Sequence, residues 1–133
     1  MAEQPGDHPD NITALLSHLA NEDYCYITTK GRISGRLHKI EIWFAFLNNS
    51  LYLLSGEGDR SDWVKNLRAH PVVTVRIAEH TFTGVARAVK DEQEDALSRR
   101  LLAAKYQSWR EGQSLSDWAR TALPVAIDFH QGK

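Results

Sequence analysis

The chain carries one cysteine, Cys25, in 133 residues, so no disulfide can form within it. A reducing compartment, the cytoplasm, is the expected setting. Cys25 sits in the strand-like run Tyr24-Cys25-Tyr26-Ile27, where a lone cysteine is expected to pack rather than react. No apolar run approaches the roughly 20 residues that cross a bilayer, so no membrane span is expected. The opening stretch, Met1 to Asp10, is polar and acidic, unlike a secretion signal. The six histidines (His8, His18, His38, His70, His80 and His130) show no metal-ligand spacing with one another or with Cys25, so no metal is expected. Nucleophile-elbow, zinc-protease and Walker motifs are absent. Hydrolysis and phosphoryl transfer therefore have no support, and harder chemistry would need a cofactor. Charge of one sign is lacking too: 16 basic residues face 17 acidic ones, a net charge of −1, which argues against a nucleic-acid partner.

What is present is a run of short strand signals. Residues 1–9 carry Pro5, Gly6 and Pro9 and few apolar groups, and are expected to lack regular structure. Residues 10–133 are expected to form a single domain. Asp10 or Asn11 can cap a helix whose Ile12, Leu15, Leu16 and Leu19 share one face. Strands are expected at Tyr24–Thr29, at Arg36–Leu47, at Leu51–Ser55 after an Asn48-Asn49 turn, at Val72–Ile77, at Thr81–Val89 and at Leu123–Phe129. Pro124 suggests an edge position for the last. A short helix begins near Ser61 or Asp62 and stops before Pro71. A longer helix spans about Glu92 to Trp109, with Leu97, Leu101, Ala104 and Ser108 at helical spacing. Ser114 or Ser116 caps a final one. Tight turns imply antiparallel pairing, and six short strands with few helices suit a small closed barrel of the α+β class.

Between Thr28 and His70 stand seven Lys/Arg and four acids, a local basic cluster suited to a small anionic ligand. The loop Lys30-Gly31-Arg32-Ile33-Ser34-Gly35-Arg36 combines glycines that let backbone amides turn toward a ligand, three cations and a hydroxyl. These are the parts of an anion cradle. An exposed hairpin with solvated charges has the same composition, so both readings stay open here. Ser55-Gly56-Glu57-Gly58-Asp59-Arg60-Ser61-Asp62-Trp63 leads from a strand end into a helix start, which also favours an anion, although Asp59 and Asp62 oppose it. Trp43, Phe44 and Trp63 can flank a planar ring or fill the core. Asn66 and Arg68 can face solvent. Trp109 and Trp118 can pack the C-terminal helices, or Tyr106 and Trp109 can line a substrate pocket.

Thr28-Thr29-x-Gly31-Arg32-x-Ser34-Gly35, Ile42-Trp43-Phe44, Leu51-Tyr52-Leu53-Leu54-Ser55-Gly56 and Asp62-Trp63-Val64-x-Asn66-Leu67-Arg68-Ala69-x-Pro71-x-Val73-x-Val75 together resemble the deazaflavin (F420)-dependent nitroreductase family. The match covers residues 23 to 89, about half of the chain. The resemblance implies a split β-barrel of the flavin-binding superfamily, an antiparallel six-stranded barrel with flanking helices. It implies coenzyme F420, with FMN as the alternative, and hydride transfer between the reduced cofactor and a small oxidised organic substrate. It also implies a homodimer. A cofactor-binding module without catalysis is the reading from another class. By resemblance, Gly31, Arg32, Ser34 and Gly35 would meet the phosphate and acidic tail, with Lys30 and Arg36 as helpers. His38 to Phe44, including Trp43, would border the ring system. Ser55, Gly56, Arg60, Trp63 and Asn66 would complete the site. The chain departs from the family at Glu41, near a position where many members carry proline, and at Glu57-Gly58-Asp59, where members often carry lysine. No catalytic side chain is assigned; Tyr106 and His38 are the candidate acids.

Overall fold

A computed structural model describes residues 10–129. Residues 1–9, expected to lack regular structure, lie outside the described residues. The elements in chain order are α1 (Asp10–Leu19), β1 (Cys25–Lys30), β2 (Leu37–Ile42), β3 (Ala45–Leu47), β4 (Ser50–Ser55), a 3-10 turn (Gly58–Arg60), α2 (Asp62–Ala69), β5 (Val72–Ile77), β6 (His80–Ala88), α3 (Glu92–Gln107), α4 (Asp117–Thr121) and β7 (Leu123–Asp128). The strands form one curled antiparallel sheet in the order β2-β1-β5-β6-β7-β4-β3, flanked by the helices, which is the split-barrel architecture. No described helix is long and apolar enough to cross a membrane.

Seven strands stand where six were expected, because the stretch from Arg36 to Leu47 is two strands and not one. The break falls at Trp43-Phe44. The Phe44 N–H donates to the Tyr106 hydroxyl at 3.0 Å, and its carbonyl accepts from Lys105 Nζ at 3.0 Å. Both polar groups of this buried residue are thus satisfied by α3 instead of a neighbouring strand, so the ladder can stop without an orphaned group. The chain turns there from one edge of the sheet, β2, to the other, β3.

β4 shows why the core has two compartments. Leu51 and Leu53 enter the main core with Leu16, Ile27, Val64, Val75 and Ile127, whereas Tyr52 and Leu54 pack on the opposite face against Leu102, Ala122 and Ala126. Alternate side chains point to opposite faces of a strand, so a strand covered on both sides is apolar at successive positions, as Leu51 to Leu54 are. Each fully buried leucine contributes about 1.5–3 kcal/mol.

Two further expectations are corrected. β7 lies between β6 and β4, not at an edge. Pro124 is tolerated because the β6 ladder ends at Val125, one residue short of it, so no bond on that side needs its missing N–H. On α3 the buried positions are Ser98, Leu102 and Ala103, while Ala104 is exposed. The inward face is rotated from the expected one, because Ser98 satisfies its hydroxyl on the Asp95 carbonyl at 2.7 Å and can be buried.

A charge network ties the sheet to α3. Arg87 on β6 forks onto both Glu94 oxygens at 2.8 and 2.6 Å, and its Nε donates to Asp128 at 2.5 Å. The Tyr52 hydroxyl donates to Glu94 at 2.6 Å, and Ser50 donates to Asp128 at 2.5 Å. The hydrogen bonds from Arg87 hold the Glu94 carboxyl down at about 2, from an ordinary 4.5. A depressed carboxyl contributes stability that is full above its unfolded value and disappears as pH falls toward the folded one. The urea midpoint of the wild type should therefore drop between about pH 5 and about pH 2 more steeply than that of Glu94→Gln. Parallel curves would show that the Glu94 charge does not carry the network.

Candidate functional site

The loop after β1 is a closed turn. Gly31 N–H donates to the Arg36 carbonyl at 2.7 Å, and Gly35 N–H donates to the Gly31 carbonyl at 3.0 Å. The Ser34 hydroxyl accepts from the Arg36 N–H at 3.1 Å. Gly35 has φ +75°, a backbone region that favours glycine. At Gly31 a Cβ would lie 2.7 Å from His38 Nε2 and 2.8 Å from Ser34 Oγ, so a side chain there would push those two exposed side chains aside.

This turn is fastened to α2 by one side chain. Asn66 is only 4% exposed. Its Oδ1 accepts from the Arg32 backbone N–H at 3.2 Å and from Arg32 Nη1 at 2.7 Å, and its Nδ2 donates to the buried Thr29 hydroxyl at 3.4 Å. Arg32 Nη2 also reaches Asp62 at 3.3 Å, a carboxylate that is 85% exposed. The guanidinium is therefore oriented by a buried amide, and its charge is partly offset by a group free to move into solvent. The sequence leaves Asn66 able to face solvent, and the resemblance puts it in the site; the fold turns it inward onto Arg32 and Thr29. The signal that could have placed it is its position beside the inward residues Val64 and Leu67.

Between this loop, β2 and α2 lies a recess of about 600 Å³. Gly31, Arg32, Ser34, His38, Trp63 and Asn66 line it, as expected contacts brought together, and Ile33, Leu37, Lys39, Ile40 and Asp62 join them. The other expected residues fall elsewhere. Lys30 ends β1, and Gly35 and Arg36 close the turn without lining the recess. Ser55 is buried, with its hydroxyl 2.8 Å from both the Gly58 carbonyl and the Ser61 hydroxyl. Ser61 consequently makes no side-chain cap on α2. Gly56 abuts Trp118, Arg60 is exposed on the 3-10 turn, and Phe44 is fully buried. Glu57 and Asp59 do not line the recess; Asp59 pairs with Arg68 at 3.8 Å. Glu41 faces solvent and accepts from the Tyr26 hydroxyl at 3.2 Å.

A second recess, of about 500 Å³, adjoins the first along β2. Its walls are Tyr24, Glu41, Ile42, Trp43, Leu54, Gln107 and Trp118. Trp43 stacks on Tyr106 with centroids 4.3 Å apart and planes 1° from parallel, and meets Trp118 edge-on at 5.5 Å and 89°. The Tyr106 hydroxyl lies within hydrogen-bond reach of the Asp23 carbonyl at 2.8 Å and both polar atoms of the Phe44 backbone at 3.0 Å. Burial pushes it up to about 12. Burial also pushes Lys105, whose Nζ sits 3.6 Å from the Phe44 ring centre, down to about 8. The buried Cys25 thiol is raised to about 12 by desolvation, which leaves it protonated and inert near neutral pH. No group of three or more metal-ligating side chains exists among the described residues. Among the exposed large apolar side chains of the described residues, Ile33 and Leu37 lie in the basic recess and Tyr24 and Trp43 in the aromatic one, with Leu47 and Val72 outside both. Exposed apolar surface is thus concentrated where a ligand could cover it.

Residues 11–129 match the family model of F420H(2)-dependent quinone reductase. No curated protein matches the chain. Among solved structures the chain is similar to an F420-H2 dependent reductase, FDR-A, with 22% identity, 80% of this chain and 93% of that one covered, and a TM-score of 0.60. It is also similar to an FAD-binding protein of Mesorhizobium loti, with 18% identity, 90% and 89% coverage and a TM-score of 0.62. The haem storage protein HutZ of Vibrio cholerae shares 15% identity, with 90% of each chain covered and a TM-score of 0.66. These likenesses show a shared fold.

Removing the Asn66 amide leaves the Arg32 N–H and the buried Thr29 hydroxyl without that partner. Asn66→Ala should destabilise the protein by about 1–3 kcal/mol in urea denaturation. It should also speed hydrogen exchange at the Arg32 amide. Unchanged exchange there would show that the turn holds itself without α2.

Proposed function

Because this chain belongs to the F420H(2)-dependent quinone reductase family, an oxidoreductase family, we propose that the basic recess holds the deazaflavin coenzyme and the aromatic recess takes the oxidised substrate. The recess fits such a group on its own chemistry. Its volume of about 600 Å³ is in the range of cofactor sites. It offers a pre-oriented guanidinium, a hydroxyl, a lysine and a histidine beside the apolar Ile33, Leu37 and Trp63. That donor set suits a molecule with anionic and ring-bearing parts. When bound, the reduced coenzyme supplies a hydride, two electrons and a proton's mass, to a small oxidised organic molecule such as a quinone.

The chain's own part is binding and orientation. Arg32 and Ser34 engage the anionic portion, with His38 and Lys39 along β2. Gly31 keeps the wall thin enough for close approach. Trp63 and Asn66 complete the floor, the first as an apolar surface and the second by holding Arg32. Lys30, Arg36 and Arg60 add positive charge from nearby without lining the recess, and Gly35 shapes the turn. Ser55, Gly56 and Phe44 support the walls from behind, and Trp43 borders the neighbouring recess. The half-exposed Trp43 and Tyr24 leave that recess open to water, which can deliver the proton that a reduced substrate needs. The edge strand β2, with no strand paired on its outer side, offers a backbone edge for a second copy in a homodimer.

The observation that carries this reading is the Arg32 guanidinium, held 2.7 Å from a buried amide at the mouth of a glycine-walled recess. Titration with oxidised F420, followed by fluorescence, should show binding that Arg32→Ala weakens about tenfold at low salt and less at high salt. Tight binding of FMN with no response to F420 would overturn the cofactor assignment.

A further inference from the structure

Charge is segregated along β2. Lys30, Arg32 and Arg36 cluster around the end of β2 that pairs with Lys30, Lys39 stands in mid-strand opposite Thr28, and the pairing of Cys25 with Ile42 places Glu22 and Asp23, just before β1, at the other end. Glu41 belongs to that acidic end, opposite Tyr26, whose hydroxyl donates to it at 3.2 Å, and among the described residues it is the one charged side chain in the wall of the aromatic recess. Of the nearby cations, Lys39 lies in the wall of the basic recess with its ammonium 5.3 Å over the Tyr26 ring, and Lys105 is turned inward onto the Phe44 carbonyl. Asp117, next to Trp118, is paired with Arg120 at 2.7 Å.

Apart from Gln107, the rest of the recess wall is aromatic and aliphatic. Trp43 has one face against Tyr106, whose hydroxyl is fixed by the Phe44 backbone, and Trp118 stands perpendicular to it. Two indoles set at 89° form a corner in which a planar ring can stack on one and meet the edge of the other. Gln107 supplies the polar contact. Its side-chain oxygen accepts from the Ser116 hydroxyl at 2.8 Å, which leaves its NH2 as a donor for a carbonyl or nitro oxygen.

We propose that this recess is a charge-selective acceptor subsite, in which Glu41 favours neutral or cationic planar aromatic oxidants over carboxylated or sulfonated ones. The proposal rests on the assignment of the aromatic recess to the substrate. An anionic substituent within several ångströms of Glu41 meets a like charge at partial solvent exposure, enough to weaken binding about three- to tenfold. Glu41 is thus a specificity residue and not a catalytic one.

Tryptophan quenching of the cofactor-free protein tests this with 1,4-naphthoquinone and its 2-sulfonate. The wild type should bind the neutral quinone more tightly. Glu41→Gln should tighten the sulfonate about three- to tenfold at low salt, leave the neutral quinone unchanged, and lose its effect at high salt. The same step should persist in an Arg32→Ala background, where the basic recess competes less for the sulfonate. Trp118→Leu should weaken both quinones. Sulfonate binding insensitive to Glu41→Gln would overturn the charge selection, and quinone binding insensitive to Trp118→Leu would overturn the subsite. Titration of Glu41→Gln with F420 separates these failures from failure of the cofactor assignment, since that variant should bind the coenzyme as the wild type does.

Discussion

The peptide of Phe44 hands its donor to Tyr106 and its acceptor to Lys105, and much of the molecule follows from that exchange. Residues 40 to 46 have strong strand propensity, and nothing local stops them. The stop is imposed by α3, some 60 residues further along the chain. Once the Phe44 peptide has left the ladder, the chain can pass from one edge of the sheet to the other. Trp43 is then presented outward on a fixed Tyr106 ring instead of continuing the pleat. A side chain set at the end of a strand by stacking is better positioned than one on a free loop, which is what an aromatic platform needs.

The second fixed point is Asn66. A buried amide that accepts from both the backbone and the side chain of Arg32 converts a mobile surface cation into an oriented one. The entropy of ordering that arginine is spent during folding, so it is not charged against ligand binding. The two fixed points sit at opposite ends of β2. One end carries positive charge and glycine, and the other carries indole and carboxylate. A single exposed strand therefore presents two chemically distinct recesses side by side.

The strands themselves were legible because their information is local. β-branched and aromatic runs announced the strands, Asn48-Asn49 announced a tight turn, and of the two serines expected as a cap it is Ser116 that accepts from Ala119. Composition left the loop with Gly31 and Gly35 open between an anion cradle and a solvated hairpin, and the linked motifs pointed to the family. Errors arose where a distant residue had authority. The split of Arg36–Leu47 depends on Tyr106 and Lys105. The central place of β7 depends on where the β6 ladder ends, which Pro124 does not reveal. The rotated face of α3 depends on Ser98 finding an acceptor within its own helix.

Sequence by itself determined the class of fold, the helices and six of the strand regions in order, the basic glycine turn and the kind of cofactor, because hydrophobic period, turn chemistry and motif order are written residue by residue. Tertiary structure alone decided that Asn66 faces inward to hold Arg32, that Ser55 and Phe44 support walls instead of lining them, and that Trp43, Trp118 and Glu41 share a recess. Those outcomes depend on which groups meet across long stretches of chain, and a buried polar atom takes its partner from whatever the fold places within hydrogen-bond distance.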